Sequence, residues 1–217
     1  MSACDVAELS LDVQRRLESL YALDGQPPVC DFLIPAEASA GLPGSGSRTL
    51  VSEVDGELQL GVVLEPQVVL SLSRCDPRVR LDRANVGPFC TLVEEVSHFA
   101  LLLFCAQKAR TVSQLELELQ GEVDKYLNVA FLLSLQNEGA VSPRLKRLLF
   151  REYRLKPELS AEQAERYSTA SGLAYRYCHY LECEYLRPSR LSDLRSEARR
   201  FYRLGQSGKL ERIESCA

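Results

Sequence analysis

Residues 87–109 read GPFCTLVEEVSHFALLLFCAQKA, and their spacing decides the fold. Val93, Val96, Ala100, Leu103 and Phe104 recur at helical intervals. From 99 to 106 all eight residues are apolar. A helix apolar on every side is buried on every side or crosses a membrane. Eight residues are too few to cross, since about 20 are needed. The stretch therefore predicts a central buried helix over 88–109, with Glu94, Glu95 and His98 at the mouth of its apolar run.

Upstream of it, Asp5 caps a predicted helix to about Leu23, with Val6, Leu9, Val13, Leu17, Leu20 and Tyr21 as its apolar stripe. Asp24-Gly25 ends that helix, and Pro27-Pro28 prevents its resumption. Residues 29–34 read as a short strand, and the Gly, Ser, Ala and Pro content of 35–48 suits a flexible loop. The glycines at 41, 44 and 46 are not followed by Lys, so the phosphate-cradling pattern GxxxxGK[ST] is not met. Residues 49–54 and 57–64 form strands around the hairpin turn Asp55-Gly56. Glu65-Pro66 turns again, and Val68, Leu70 and Leu72 alternate through a third strand at 67–73.

Downstream, 113–137 continues at helical period, although LELEL at 115–119 alternates like a strand. Ser142-Pro143 opens a short basic helix that ends near Tyr153, and Pro157 breaks it. Ser160 with Gln163 forms a capping box for a long helix that Pro188 terminates. A last helix carries Leu191, Leu194, Ala198, Phe201 and Leu204 inward and stops at Gly205. The predicted fold class is α+β: a small antiparallel three- to four-stranded meander packed against about five helices. A single domain covers 1–205, made of an acidic N-terminal helix and meander (1–80) and a helical part (88–205), with a frayed tail at 206–217.

Composition fits a globular protein, with 46% hydrophobic and 26% charged residues. The net charge of −4 hides an asymmetry. Residues 1–65 carry 3 basic and 11 acidic side chains, whereas 140–217 carry 16 and 10. The basic C-terminal helices, with arginines at 187, 190, 195, 199, 200 and 203, are the expected surface for an acidic protein partner. Six excess positive charges over a mixed-charge segment do not make a nucleic-acid footprint. None of the eight cysteines forms a CxxC pair, and the N-terminus MSACDVAELS lacks the pattern of a signal peptide. These features point to reduced thiols in a cytoplasm, with no membrane.

Both histidines have a glutamate three residues away: Glu95 and His98, then His179 and Glu182. That spacing places each pair on one helical face, where both side chains reach one ion. Glu116, Glu118 and Glu122 lie between them on another helix. Iron, manganese or zinc suits such a donor set. Glu95-x-x-His98 resembles the Glu-x-x-His element of the helical bundle di-metal proteins, which implies a shared site that also recruits His179 and Glu182. The plain alternative is a buried Glu–His hydrogen bond that fixes the helix.

Residues 94–98, EEVSH, also resemble the zincin metallopeptidase motif HExxH, with Glu94 where the family has its first histidine. The resemblance implies Glu95 as general base and Glu94 and His98 as metal ligands. In gluzincins a glutamate ligand follows on a second helix; Glu118 stands twenty residues after His98, and Glu122 four later. A meander ahead of the motif helix and helices behind it are similar to the zincin arrangement.

Three functions follow. A non-catalytic binding or accessory protein would act through its basic C-terminal helices. A degenerate zincin-like, metal-dependent hydrolase needs Glu118 beside His98. A helical Glu/His di-metal protein needs His98 and His179 to converge.

Overall fold

The computed structural model describes residues 4–142, 144–151 and 160–216. Among these the fold is mixed and mostly helical, with eight α-helices and a three-stranded sheet. Helix α1 (Val6–Tyr21) starts where Asp5 accepts a hydrogen bond from the amide of Ala7 at 2.9 Å. Strand β1 is only Leu33–Ile34, because residues 29–32 wind into a 3-10 turn. The hairpin pairs β2 (Arg48–Val54) with β3 (Glu57–Val63). Its turn residues Asp55 and Gly56 both have positive φ, 52° and 80°, the backbone that matches the twist of a tight hairpin.

The sheet corrects the predicted meander in two ways. Its order is β1-β3-β2, and β1 runs parallel to β3, with Leu33 opposite Val62. The third predicted strand, 67–73, is instead helix α2 (Pro66–Arg74). Alternating Val68, Leu70 and Leu72 fits a strand, but Val68 and Leu72 also lie four apart. Those two are buried, while Leu70 is exposed. Pro66 occupies the first helical turn, where its missing N–H costs nothing.

Helix α3 (Val86–Gln107) is the predicted buried helix. By length and composition it could cross a membrane, at a mean hydropathy of 1.6, but most of it is buried inside the protein. It packs against α1, α2 and the sheet on one side and α4 (Gln114–Gln136) on the other. Helix α4, capped by Ser113, is the true axle of the fold. It lies between α3 and α6 (Ala161–Leu181), and residues 118–130 are buried without a break. The predicted capping box at Ser160 and Gln163 starts α6.

Helix α5 (Leu145–Phe150) closes one end of α4 and α6. The expected roles of Pro143, Tyr153 and Pro157 fall outside the described residues. A π-helical turn, Glu182–Leu186, follows α6 and leads to α7 (Leu191–Arg203). The expected frayed tail is a further helix, α8 (Gln206–Glu214), with Ile213 and Lys209 buried. Its few apolar residues hid it, because it is anchored by a lysine. All eight cysteines are free thiols.

Two arginines of α7, half-buried Arg199 and exposed Arg203, bond back to α1. Arg199 donates to the carbonyls of Leu20 and Ser19, and Arg203 to those of Tyr21 and Ala22. These carbonyls end α1, where no further helical N–H is available, so α7 acts as its cap. Arg190 pairs with Asp193 and Arg187 with Glu182. Arg195 and Arg200 remain exposed.

Candidate metal centre

Helices α3 and α4 run antiparallel, joined by the short segment 108–113. Position 94 therefore faces 125, and 98 faces 121 and 118. This register explains why a glutamate twenty residues after His98 meets it. One ligand atom each from Glu94, His98 and Glu118 lie within 4.8 Å of one another, so this group could hold a metal ion. His98 Nε2 is 4.0 Å from Glu118 Oε2, is buried, and has no hydrogen-bond partner. An orphaned buried ring nitrogen facing two carboxylates is costly unless something occupies the space between them.

Gly121 keeps that space open. A Cβ at this position would lie 3.1 Å from His98 Nε2 and 3.4 Å from Glu94 Cγ. A glycine inside a helix costs roughly 1 kcal/mol relative to alanine, so the position answers a need for room. A lone glycine interrupting a helical pattern is the sequence signal that could have pointed to it. Gly121→Ala is expected to leave the helix formed but to weaken ion binding by about tenfold or more, the scale of changes around metal ligands. Titration with a competing chromophoric chelator checks this; unchanged affinity would remove Gly121 from the site.

Glu95 is placed differently from the base the zincin resemblance implies. Its Oε2 lies 3.8 Å from His98 Nδ1, on the side of the ring turned from Glu118, and accepts from the Thr49 hydroxyl at 2.8 Å. A carboxylate on the far nitrogen of a ligating histidine fixes the tautomer and aims the other nitrogen at the ion. Strand β2 thus contributes by holding Glu95 through Thr49.

Carboxylates on three sides set the protonation of His98. Burial pulls the His98 imidazolium down, but Glu95, then Glu118 and Glu94, carry its pKa up to about 9. Burial pushes the Glu118 carboxyl up to about 7; His98 opposes the rise and Glu94 adds to it. The Tyr167 phenol, held up first by burial, is a hydrogen-bonding neighbour of Glu118. Glu122 has its pKa raised by burial and is bound at 2.8 Å to Lys125 Nζ, which also lies 2.9 Å from Glu94. An arriving cation displaces protons from His98 and Glu118, so its binding competes with acid.

The other expected ligands stand apart. Lys146 Nζ lies 2.7 Å from His179 Nδ1 and 2.8 Å from Glu182 Oε2, and Arg187 holds the other oxygen of Glu182. With Nδ1 facing an ammonium and Cys183 Sγ 3.7 Å away, His179 belongs to a second polar cluster. Neither His179 nor Glu182 is among the atoms that converge on His98.

Comparison with protein-family models, with characterised proteins and with solved structures gives no match.

Proposed function

We propose that this chain is a non-catalytic metal-binding protein that holds a divalent transition metal (zinc, iron or manganese) between Glu94, His98 and Glu118. The observation that carries the reading is the orphaned His98 Nε2 facing two carboxylates across the space left by Gly121. One imidazole and two carboxylates suit these ions, with geometry and availability rather than raw affinity selecting among them. Glu95 orients the imidazole, and Thr49 orients Glu95.

A metal-dependent hydrolase of degenerate zincin type is the second reading. What favours it is the ligand set, at the four-residue and twenty-residue spacings of that family's pattern. Three protein ligands also leave a coordination position for water. The place of Glu95 behind the imidazole favours the first.

Elemental analysis of protein purified without chelator or nickel tests the proposal. About one equivalent of metal is expected. Changes around metal ligands cost roughly 10–100-fold in affinity, so His98→Ala, which removes a ligand, should cost at least about 100-fold. Glu95→Gln should fall within that range, and His179→Ala should retain the metal. Absence of bound metal in the native protein, even after reconstitution with zinc, manganese and ferrous iron, sinks both readings.

A further inference from the structure

Glu122 is one turn from Glu118 and is buried beside the site, yet its carboxylate is engaged by Lys125 at 2.8 Å. The same ammonium lies 2.9 Å from Glu94 Oε2. Glu94 therefore faces two ways, towards Lys125 and towards the ligand atoms of His98 and Glu118. In two-ion sites, cations about 3.5–4 Å apart are clamped by shared carboxylates. Here the Lys125 ammonium is shared by Glu94 and Glu122. Lys125 and Glu122 side chains are only 8% and 9% exposed, so this cation is built into the interior rather than supplied by solvent.

We propose that Lys125 is a resident cation standing where the second ion of a pair would stand, and that it fixes the native site at one divalent ion. Lys125 neutralises part of the carboxylate charge that Glu94 and Glu122 bring to the site. Without Lys125 the three carboxylates and His98 present a donor set rich enough for two hard or borderline ions. The orphaned Nε2 marks the first ion's place, and the Lys125 ammonium marks the second's. This inference rests on the metal-binding reading.

The test is manganese stoichiometry on the full chain, by elemental analysis after gel filtration and by electron paramagnetic resonance. Native protein and Lys125→Arg, which keeps the charge, should hold about one manganese with the spectrum of an isolated ion. Lys125→Ala and Lys125→Gln should hold about two, a twofold rise, with the spectrum of a coupled pair. Folding is checked by circular dichroism with manganese present. No manganese in the native chain overturns the metal-binding reading and this inference together. One ion in the native chain and one in a folded Lys125→Ala or Lys125→Gln overturns this inference alone, as do two ions in the native chain. If neither neutral variant folds with manganese present, the inference also fails, because an ion should fill the vacated place.

Discussion

Asp124→Ala is expected to destabilise the folded chain by about 2–4 kcal/mol, the cost of leaving buried hydroxyl donors unsatisfied. Asp124 is fully buried in the middle of α4. Its carboxylate accepts from the Tyr21 hydroxyl of α1, from Ser97 Oγ of α3 at 2.5 Å, and from Gln120 Nε2 at 3.1 Å. Alanine leaves the buried Tyr21 and Ser97 hydroxyls without this acceptor, while Gln120 Nε2 keeps Tyr21 Oη. Asp124→Asn keeps an acceptor and should cost less. Urea unfolding of the three proteins checks the order, and a loss below about 1 kcal/mol for Asp124→Ala would show that the network contributes little.

The same residue predicts a pH dependence. Burial raises the Asp124 pKa from 3.8 to about 6, against the pull of Ser97, Tyr21 and Gln120. Between those values the folded chain holds a proton that the unfolded chain has lost. This group's contribution to stability therefore falls as pH rises from about 4 to about 6, by ~3 kcal/mol. Unfolding across that window should show the slope in the native protein and not in Asp124→Asn.

Lys209→Ala is expected to cost about 3–5 kcal/mol for a related reason. Lys209 is fully buried. Its Nζ donates to Gln120 Oε1 at 2.7 Å, lies 3.8 Å from Glu116 Oε1, and sits over the Phe201 ring. Burial lowers its pKa to about 8, so the unfolded chain binds the extra proton between about 8 and 10.5. This lysine's contribution therefore rises with pH over that window. Lys209→Met, which keeps most of the packing, separates lost volume from lost charge. Because Asp124 and Lys209 both bind Gln120, the double variant should cost less than the sum of the single ones, by about 1–3 kcal/mol. Strict additivity would show that the two contacts act independently.

These residues mark where sequence reasoning reached its limit. Apolar spacing, with the Asp5 and Ser160 caps, placed α1, α3 and α6 within two residues at their starts, because their buried faces are made of the side chains the period measures. The same period placed α4, predicted over 113–137 and found at Gln114–Gln136, but it did not reveal its polar interior. Glu116, Glu118, Gln120, Glu122, Asp124, Lys125 and Asn128 are all buried. The period marks only the apolar positions of α4; its buried polar side chains are satisfied by partners from α1, α3 and α8, by Arg110 and by Lys125 of α4 itself. Helix α8 was invisible for the same reason, since its anchor is a lysine. In the site, Glu94, His98 and Glu118 were legible because four residues is one helical turn and twenty is the length of a short antiparallel reversal. His179 and Glu182 shared the composition of a ligand pair, but Lys146 and Arg187 reach them first. No spacing within one helix reveals a cation that comes from another.

The capping of α1 by α7 has a consequence for how the chain is made. Arg199 and Arg203 are more than 175 residues from the carbonyls they satisfy, and Lys209 is 89 residues from Gln120. On the ribosome, where synthesis proceeds at roughly 5–20 residues per second, α1 waits for α7 before these carbonyls are capped. Until α8 follows, Gln120 and Glu116 of α4 lack the Lys209 ammonium. The core around α1 and α4 is therefore completed only after α7 and α8 have emerged.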